Sequence, residues 1–172
     1  RNRTSFAAVV GTMVSLKFFT LTSTTQPGKE GAEAVAGALS RMPGLKVLEL
    51  KGFHLTDEGV TVLAEAMEKL SALEMLNLAT CDISENAAEA LGKALERMPR
   101  MKVLHLEENE LSSKGAEKLQ RALAMMIGCK ELSIGSNNLG KVGGQALATA
   151  LAKMKRLELL DLSHNELGSD GK

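Results

Sequence analysis

Apolar residues recur along this chain with a period close to 28 positions. The segments begin at residues 16, 45, 73, 101, 129 and 157; the first spans 29 residues, the next four span 28 each, and the last is shorter. Their opening sequences are LKFFTLTSTTQ, LKVLELKGFHL, LEMLNLATCDI, MKVLHLEENEL, CKELSIGSNNL and LELLDLSHNEL. Apolar residues recur at positions 1, 4, 6 and 11 of these segments, and a fixed internal period of this size predicts a stacked array of repeats.

Each segment divides into a strand half and a helix half. In the segment that begins at Leu45, residues 47–51 alternate between outward and inward positions, which predicts a strand with two leucines facing the core. Residues 57–70 are rich in Ala, Glu, Leu and Met, and their apolar positions fall on one face of a helix. Residues 1–15 fit the helix half alone. We therefore expect one array over residues 1–172 that is a fragment of a longer protein.

Charge and hydropathy exclude several classes of partner. The chain has 21 Lys+Arg and 21 Asp+Glu, so its formal net charge is zero. This balance gives no electrostatic reason to expect nucleic acid or an anionic membrane as a partner. No apolar run approaches the length of a bilayer span, and no signal peptide is recognisable.

The two cysteines indicate the redox compartment. Cys81 and Cys129 stand at positions 9 and 1 of segments that lie two repeats apart. Strands stack about 4.8 Å apart, so two repeats separate the pair by about 10 Å, which exceeds the reach of about 7 Å for a disulfide. Two unpaired thiols favour a reducing compartment, so we expect a cytoplasmic protein. The glycosylation sequon Asn2-Arg3-Thr4 points the other way.

The strand segments match the pattern LxxLxLxx(N/C)xL. Position 9 holds Asn109, Asn137 and Asn165, with Cys81 as an accepted variant. Together with the helical return and the 28-residue period, this pattern resembles the ribonuclease-inhibitor subclass of leucine-rich repeats. The resemblance implies an α/β fold, a right-handed βα horseshoe with parallel strands on the concave face and helices on the convex face. It also implies that the position-9 side chain hydrogen-bonds loop backbone between turns, a pattern from which Thr24 and Phe53 depart.

The resemblance also implies a class of function. The subclass includes the sensor regions of NOD-like receptors, ribonuclease inhibitor, the Ran GTPase-activating protein and tropomodulin-type actin regulators, which almost all bind macromolecules. The chain looks most like the C-terminal repeat region of a NOD-like receptor of innate immunity, because it has few cysteines, one repeat type and no acidic tail. We expect a non-catalytic protein-binding module without cofactors. The alternatives are an autoinhibitory scaffold that packs on the rest of its own chain, and a regulator of a small GTPase or of actin.

On a horseshoe, positions 3, 5 and 7 face outward from the strands, and positions 8 and 10 lie on the rim. These five columns hold eight carboxylates and one lysine in a chain without net charge. The predicted protein-binding residues are Phe18, Glu49, Lys51, Met75, Asn77, His105, Glu107, Glu108, Glu110, Glu131, Asp161 and His164. Complementary charge would steer a partner with a basic surface toward them. A solvated acidic surface without a partner is the alternative.

Residue types that carry chemistry also occur on these columns. His54, His105 and His164 all fall there, and both solvated polar residues and pH-sensitive binding account for them. They lie in different columns and alternate repeats, so we expect no metal site. Ser133, His105 and Asp161 all occur on the concave face, but the pattern offers them neither an oxyanion donor nor a pocket. We therefore expect no catalytic residues.

Overall fold

Strands and helices alternate along the whole described chain. The computed structural model describes residues 15–22 and 27–168, within which there are six strands and five helices. The strands are β1 (Phe18–Thr20), β2 (Val47–Glu49), β3 (Met75–Asn77), β4 (Val103–His105), β5 (Glu131–Ser133) and β6 (Leu159–Asp161). The helices are α1 (Gly28–Leu39), α2 (Thr56–Met67), α3 (Ala88–Glu96), α4 (Ser112–Met125) and α5 (Gly140–Leu151). The helix half expected before Leu16 lies almost entirely outside the described residues.

The six strands form one parallel sheet in sequence order, β1-β2-β3-β4-β5-β6. Each strand pairs with the next at the same repeat position, so that Leu76 lies between Leu48 and Leu104. This in-phase register follows from the near-constant repeat length, because each repeat brings the chain back to the sheet one strand spacing further along. The predicted α/β horseshoe of leucine-rich-repeat type is confirmed.

The core lies between the sheet and the helices, and the inward leucines of the strands form its floor. Leu48, Leu76, Leu104 and Leu132 are fully buried, and burial of a leucine side chain contributes about 1.5–3 kcal/mol. Leu160 occupies the same position but is 43% exposed. Within the described residues no strand follows β6, so one side of Leu160 has no neighbouring leucine.

Small residues allow neighbouring helices to approach closely. Gly143 in the first turn of α5 lies so close to α4 that an added Cβ would be 3.2 Å from the Cα of Ser113. The same added atom would be 2.9 Å from the Cβ of Leu139. Gly115 is similarly confined in α4, where the added atom would be 3.1 Å from the Cβ of Leu111. Close packing at the helix start therefore favours a small residue at this repeat position, which Ala87 fills in one repeat.

The predicted asparagine ladder is confirmed from Asn109 onward. The Asn109 Oδ1 accepts hydrogen bonds from the backbone N–H groups of Cys81 and Ile83, each at 3.0 Å. Its Nδ2 donates to the carbonyls of Leu78 at 2.9 Å and Leu106 at 3.0 Å. One buried amide thus joins two consecutive repeats. Asn137 and Asn165 make the corresponding bonds in their repeats.

Cys81 replaces asparagine in this ladder with weaker bonds. Its Sγ donates to the carbonyl of Leu50 at 3.1 Å and to that of Ala79 at 3.4 Å. Burial raises the pKa of the Cys81 thiol to about 11 and also raises the pKa of Cys129. Both cysteines are free and buried. They therefore act as small core residues and hydrogen-bond donors.

Candidate protein-binding surface

The outward positions of the strands form a shallow, mixed surface on the concave face. Phe18 is 68% exposed and Leu159 is also exposed, whereas Met75 and Glu49 are partly buried by their neighbours. The Thr20 hydroxyl donates to the Glu49 carboxylate at 3.0 Å. The apolar residues of this face therefore reach solvent mainly at the two ends of the described sheet.

His105 and Glu131 form a pair at the centre of the concave face. The His105 Nε2 lies 2.9 Å from Oε1 of Glu131, and both side chains are partly buried. The pairing of β4 with β5 explains their proximity. His105 lies opposite Ser133, and Glu131 lies two residues before Ser133 on the same strand. The structure thus joins two predicted site residues that the sequence placed in separate columns.

Asn77 was expected to be exposed on the concave face, and this expectation is wrong. Asn77 is only 8% exposed, and its Oδ1 accepts a hydrogen bond from the Ala79 N–H at 3.0 Å. Asp161 makes the equivalent bond to the Ser163 N–H at 2.9 Å. Hydrogen bonds from the backbone N–H and the side chain of Ser163 lower the pKa of Asp161. Asn and Asp commonly close turns in this way, so both residues have a structural role at the end of their strands.

Acidic residues collect in the loops that follow the strands, and we call this group the acidic rim. It comprises Asp82, Glu107, Glu108, Glu110 and Glu166. Four of the five are exposed, and Glu107 is partly buried. Several rim positions adopt a left-handed backbone, including Glu108 with φ 56° and Glu166 with φ 51°. The chain turns sharply there, which directs the acidic side chains away from the core.

Glu107 differs from the expectation of full exposure. The register of β3, β4 and β5, continued past the strands, places it between Ala79 and Gly135 of the neighbouring repeats. Its Oε2 is buried and, among the residues that the structure describes, has no hydrogen-bond partner. A buried carboxylate oxygen of this kind is stabilised when a hydrogen-bond donor reaches it. Glu107 is therefore the member of the acidic rim with an unsatisfied acceptor.

The remaining predicted residues lie at the edges of this surface. Lys51 and His164 are exposed. His54, in the same loop as Lys51, lies with its Nδ1 2.8 Å from Oδ2 of Asp82. Asp82 is one of the eight carboxylates of the outward columns, although it was not among the predicted binding residues. Within residues 15–22 and 27–168, no three His, Cys, Asp or Glu side chains are grouped as a metal site requires.

Comparisons with known proteins agree with this architecture. A family model described as leucine-rich repeat matches residues 99–119, 130–148 and 155–171. A sequence search of curated proteins found no match. In the described part of the chain, no helix combines the length and apolar character needed to cross a bilayer.

Two solved structures share the fold over much of the chain. The C-terminal domain of tropomodulin from Caenorhabditis elegans is 16% identical, with 97% of this chain and 87% of that chain covered at a TM-score of 0.62. Actin-binding site 2 of leiomodin-1 is 23% identical, with 63% of this chain and 64% of that chain covered at a TM-score of 0.56. The matched repeats and the shared fold together support a leucine-rich repeat protein.

Proposed function

We propose that this chain is a non-catalytic protein-binding module and that its acidic rim is the main contact surface. The observation that carries the proposal is the Glu107 carboxylate, with a buried and unpartnered oxygen beside the exposed Glu108 and Glu110. A lysine or arginine from a partner would supply the missing donor. Charge-assisted hydrogen bonds of this kind are stronger than neutral ones, so this position suits a basic protein surface.

Actin is the first partner to test. This choice rests on the likeness of the fold to actin-binding site 2 of leiomodin-1 and to the tropomodulin C-terminal domain. It favours the alternative of an actin regulator over a NOD-like receptor, for which no comparison gives support. The receptor assignment, the cytoplasmic location and the autoinhibitory alternative stay predictions.

Binding kinetics against purified monomeric and filamentous actin test both parts of the proposal. We expect the double variant Glu108→Lys/Glu110→Lys to associate about tenfold more slowly at low salt, with a smaller loss at high salt, because charge reversal acts mainly on steering. Glu107→Gln should instead dissociate faster, since it weakens a short-range donor contact.

The matched control is the reversal of three exposed glutamates on the outer helix faces, Glu33, Glu65 and Glu117. It should bind like the parent chain. A loss confined to the control would place the partner on the helices and overturn the rim assignment. Absence of binding to both forms of actin by the parent chain would overturn actin as the partner.

A further inference from the structure

Cations are concentrated at the edge of the array opposite the acidic rim. This basic edge is formed by Ser15–Lys17 before β1 and by the loops that connect each helix to the next strand. It carries eleven exposed cations, namely Lys17, Arg41, Lys46, Lys69, Arg97, Arg100, Lys102, Lys130, Lys153, Lys155 and Arg156. The same segments hold three carboxylates, Glu68, Glu74 and Glu158. The zero net charge of the chain thus conceals a strongly basic edge.

Part of this charge has a structural explanation. Glu74 accepts hydrogen bonds or ion pairs from Lys46 and Lys102, and Glu158 pairs with Lys130 at 2.7 Å. Cations near the ends of helices also interact favourably with the helix dipole, but this effect falls off within the last turn. Ion pairs and the helix dipole together do not account for every cation of the edge.

Arg100 and Arg156 are the clearest exceptions. They lie three and four residues beyond the last helical caps, Arg97 and Ala152. Among the described residues neither arginine has an ion-pair or hydrogen-bond partner. Two exposed guanidinium groups are therefore free to bind an anion.

The repeat geometry places these two arginines on either side of an opening. Arg100 and Arg156 occupy the same repeat position two repeats apart, and Gly128 occupies that position between them. Since strands stack about 4.8 Å apart, the two arginine backbones are separated by about 10 Å. Both arginines line a depression of about 300 Å³ together with Lys102 and Gly128. Glu74 also lines it, but its carboxylate is paired with Lys46 and Lys102. The absent side chain at Gly128 leaves room for a ligand between two cationic walls.

We propose that this depression, the arginine cradle, binds an acidic segment of a partner protein. The planar guanidinium group recognises carboxylates with two parallel hydrogen bonds, which lysine does not. Pro99 also lines the depression, and Ile127, the neighbour of Gly128 in the same loop, is 66% exposed. A concave site with an apolar flank suits a peptide better than a flat membrane surface or a free phosphate.

The cradle and the acidic rim lie at opposite ends of the strands, so this inference is independent of the proposed function. The direct test uses a fluorescein-labelled synthetic peptide of Glu and Ala with one central Leu, titrated with the full chain and followed by fluorescence anisotropy. We expect Arg100→Ala/Arg156→Ala to raise the Kd by about tenfold or more, the loss expected when charge-assisted contacts are removed.

The control variant is Arg41→Ala/Lys69→Ala, which removes two exposed cations of the same edge outside the cradle. It should change the Kd by less than about threefold, a small free-energy change on this scale. Arg100→Lys/Arg156→Lys keeps the charge and should recover only part of the affinity, because lysine lacks the bidentate geometry. Melting temperatures of all variants check that the exposed substitutions leave the fold unchanged.

Three outcomes would overturn the proposal. Equal losses in the cradle and control variants would show that only diffuse charge binds the peptide. Stronger binding of tripolyphosphate than of the peptide would assign the cradle to a phosphate ligand. Binding to phosphatidylserine-containing vesicles in the absence of peptide binding would assign the edge to a membrane.

Discussion

Replacement of Asn109 by alanine should be among the most damaging single changes in this array. The substitution removes the acceptor for two buried N–H groups, those of Cys81 and Ile83, and the donor to two carbonyls. A buried polar group left unsatisfied costs about 1–3 kcal/mol. Counting only the two N–H groups, we expect the free energy of unfolding to fall by about 2–6 kcal/mol.

Urea unfolding followed by circular dichroism measures this loss, and hydrogen exchange locates it. The amides of Cys81 and Ile83 should lose protection more than the amides of the strands. Asn109→Cys should give an intermediate loss, because a thiol is a weak donor and a weak acceptor. Glu117→Ala, an exposed substitution on a helix, should change stability by less than about 0.5 kcal/mol.

Either of two results would contradict this role of Asn109. Equal losses for Asn109→Ala and Glu117→Ala would show that the amide does not close the loops. Unchanged exchange of the Cys81 and Ile83 amides in the alanine variant would show that other groups satisfy them.

Three further predictions concern the core, the backbone and pH. Leu104→Ala removes a fully buried strand residue and should cost about 2–5 kcal/mol in urea unfolding; a loss below about 1 kcal/mol would contradict its inward assignment. Thr56 begins α2 with φ 61°, so Thr56→Gly should raise stability by about 0.5–1 kcal/mol, whereas Thr61→Gly within the helix should lower it. Lys102 and Lys46 lower the pKa of Glu74 from 4.5 to about 2. The ionised Glu74 therefore stabilises the folded chain above pH 4.5, and this stabilisation is lost as the pH falls toward 2. Glu74→Gln should therefore flatten the acid limb of the stability profile, and an unchanged limb would contradict the pairing.

Periodicity predicts which face of a segment turns inward, but not how well that face is covered. The leucines at position 4 are all predicted to be buried, and Leu48 and Leu104 are. Leu160 follows the same pattern and is 43% exposed, and no strand follows β6 within the described residues. Strand and helix identity were therefore predictable from local spacing, whereas the burial of the last described repeat depends on what stacks beside it.

The candidate surfaces were less predictable, since single hydrogen bonds decide them. Alternation along β3 directs Asn77 outward, but its side chain is buried and bonds to the Ala79 N–H. Glu107 was predicted in the correct column, but the burial of its Oε2 depends on side-chain packing between repeats, which the spacing of residues does not give. The basic edge was missed because its cations come from positions outside the strand columns and from several loops.

The separation of the acidic rim from the basic edge makes the array an electrical dipole, although its formal net charge is zero. Zero net charge removes the long-range attraction or repulsion of the whole molecule, but the field of a separated charge distribution still acts on nearby surfaces. A charged surface that approaches the array therefore rotates it before contact. At neutral pH and low salt, a cation exchanger should retain this protein through its basic edge, and an anion exchanger should retain it through its acidic rim.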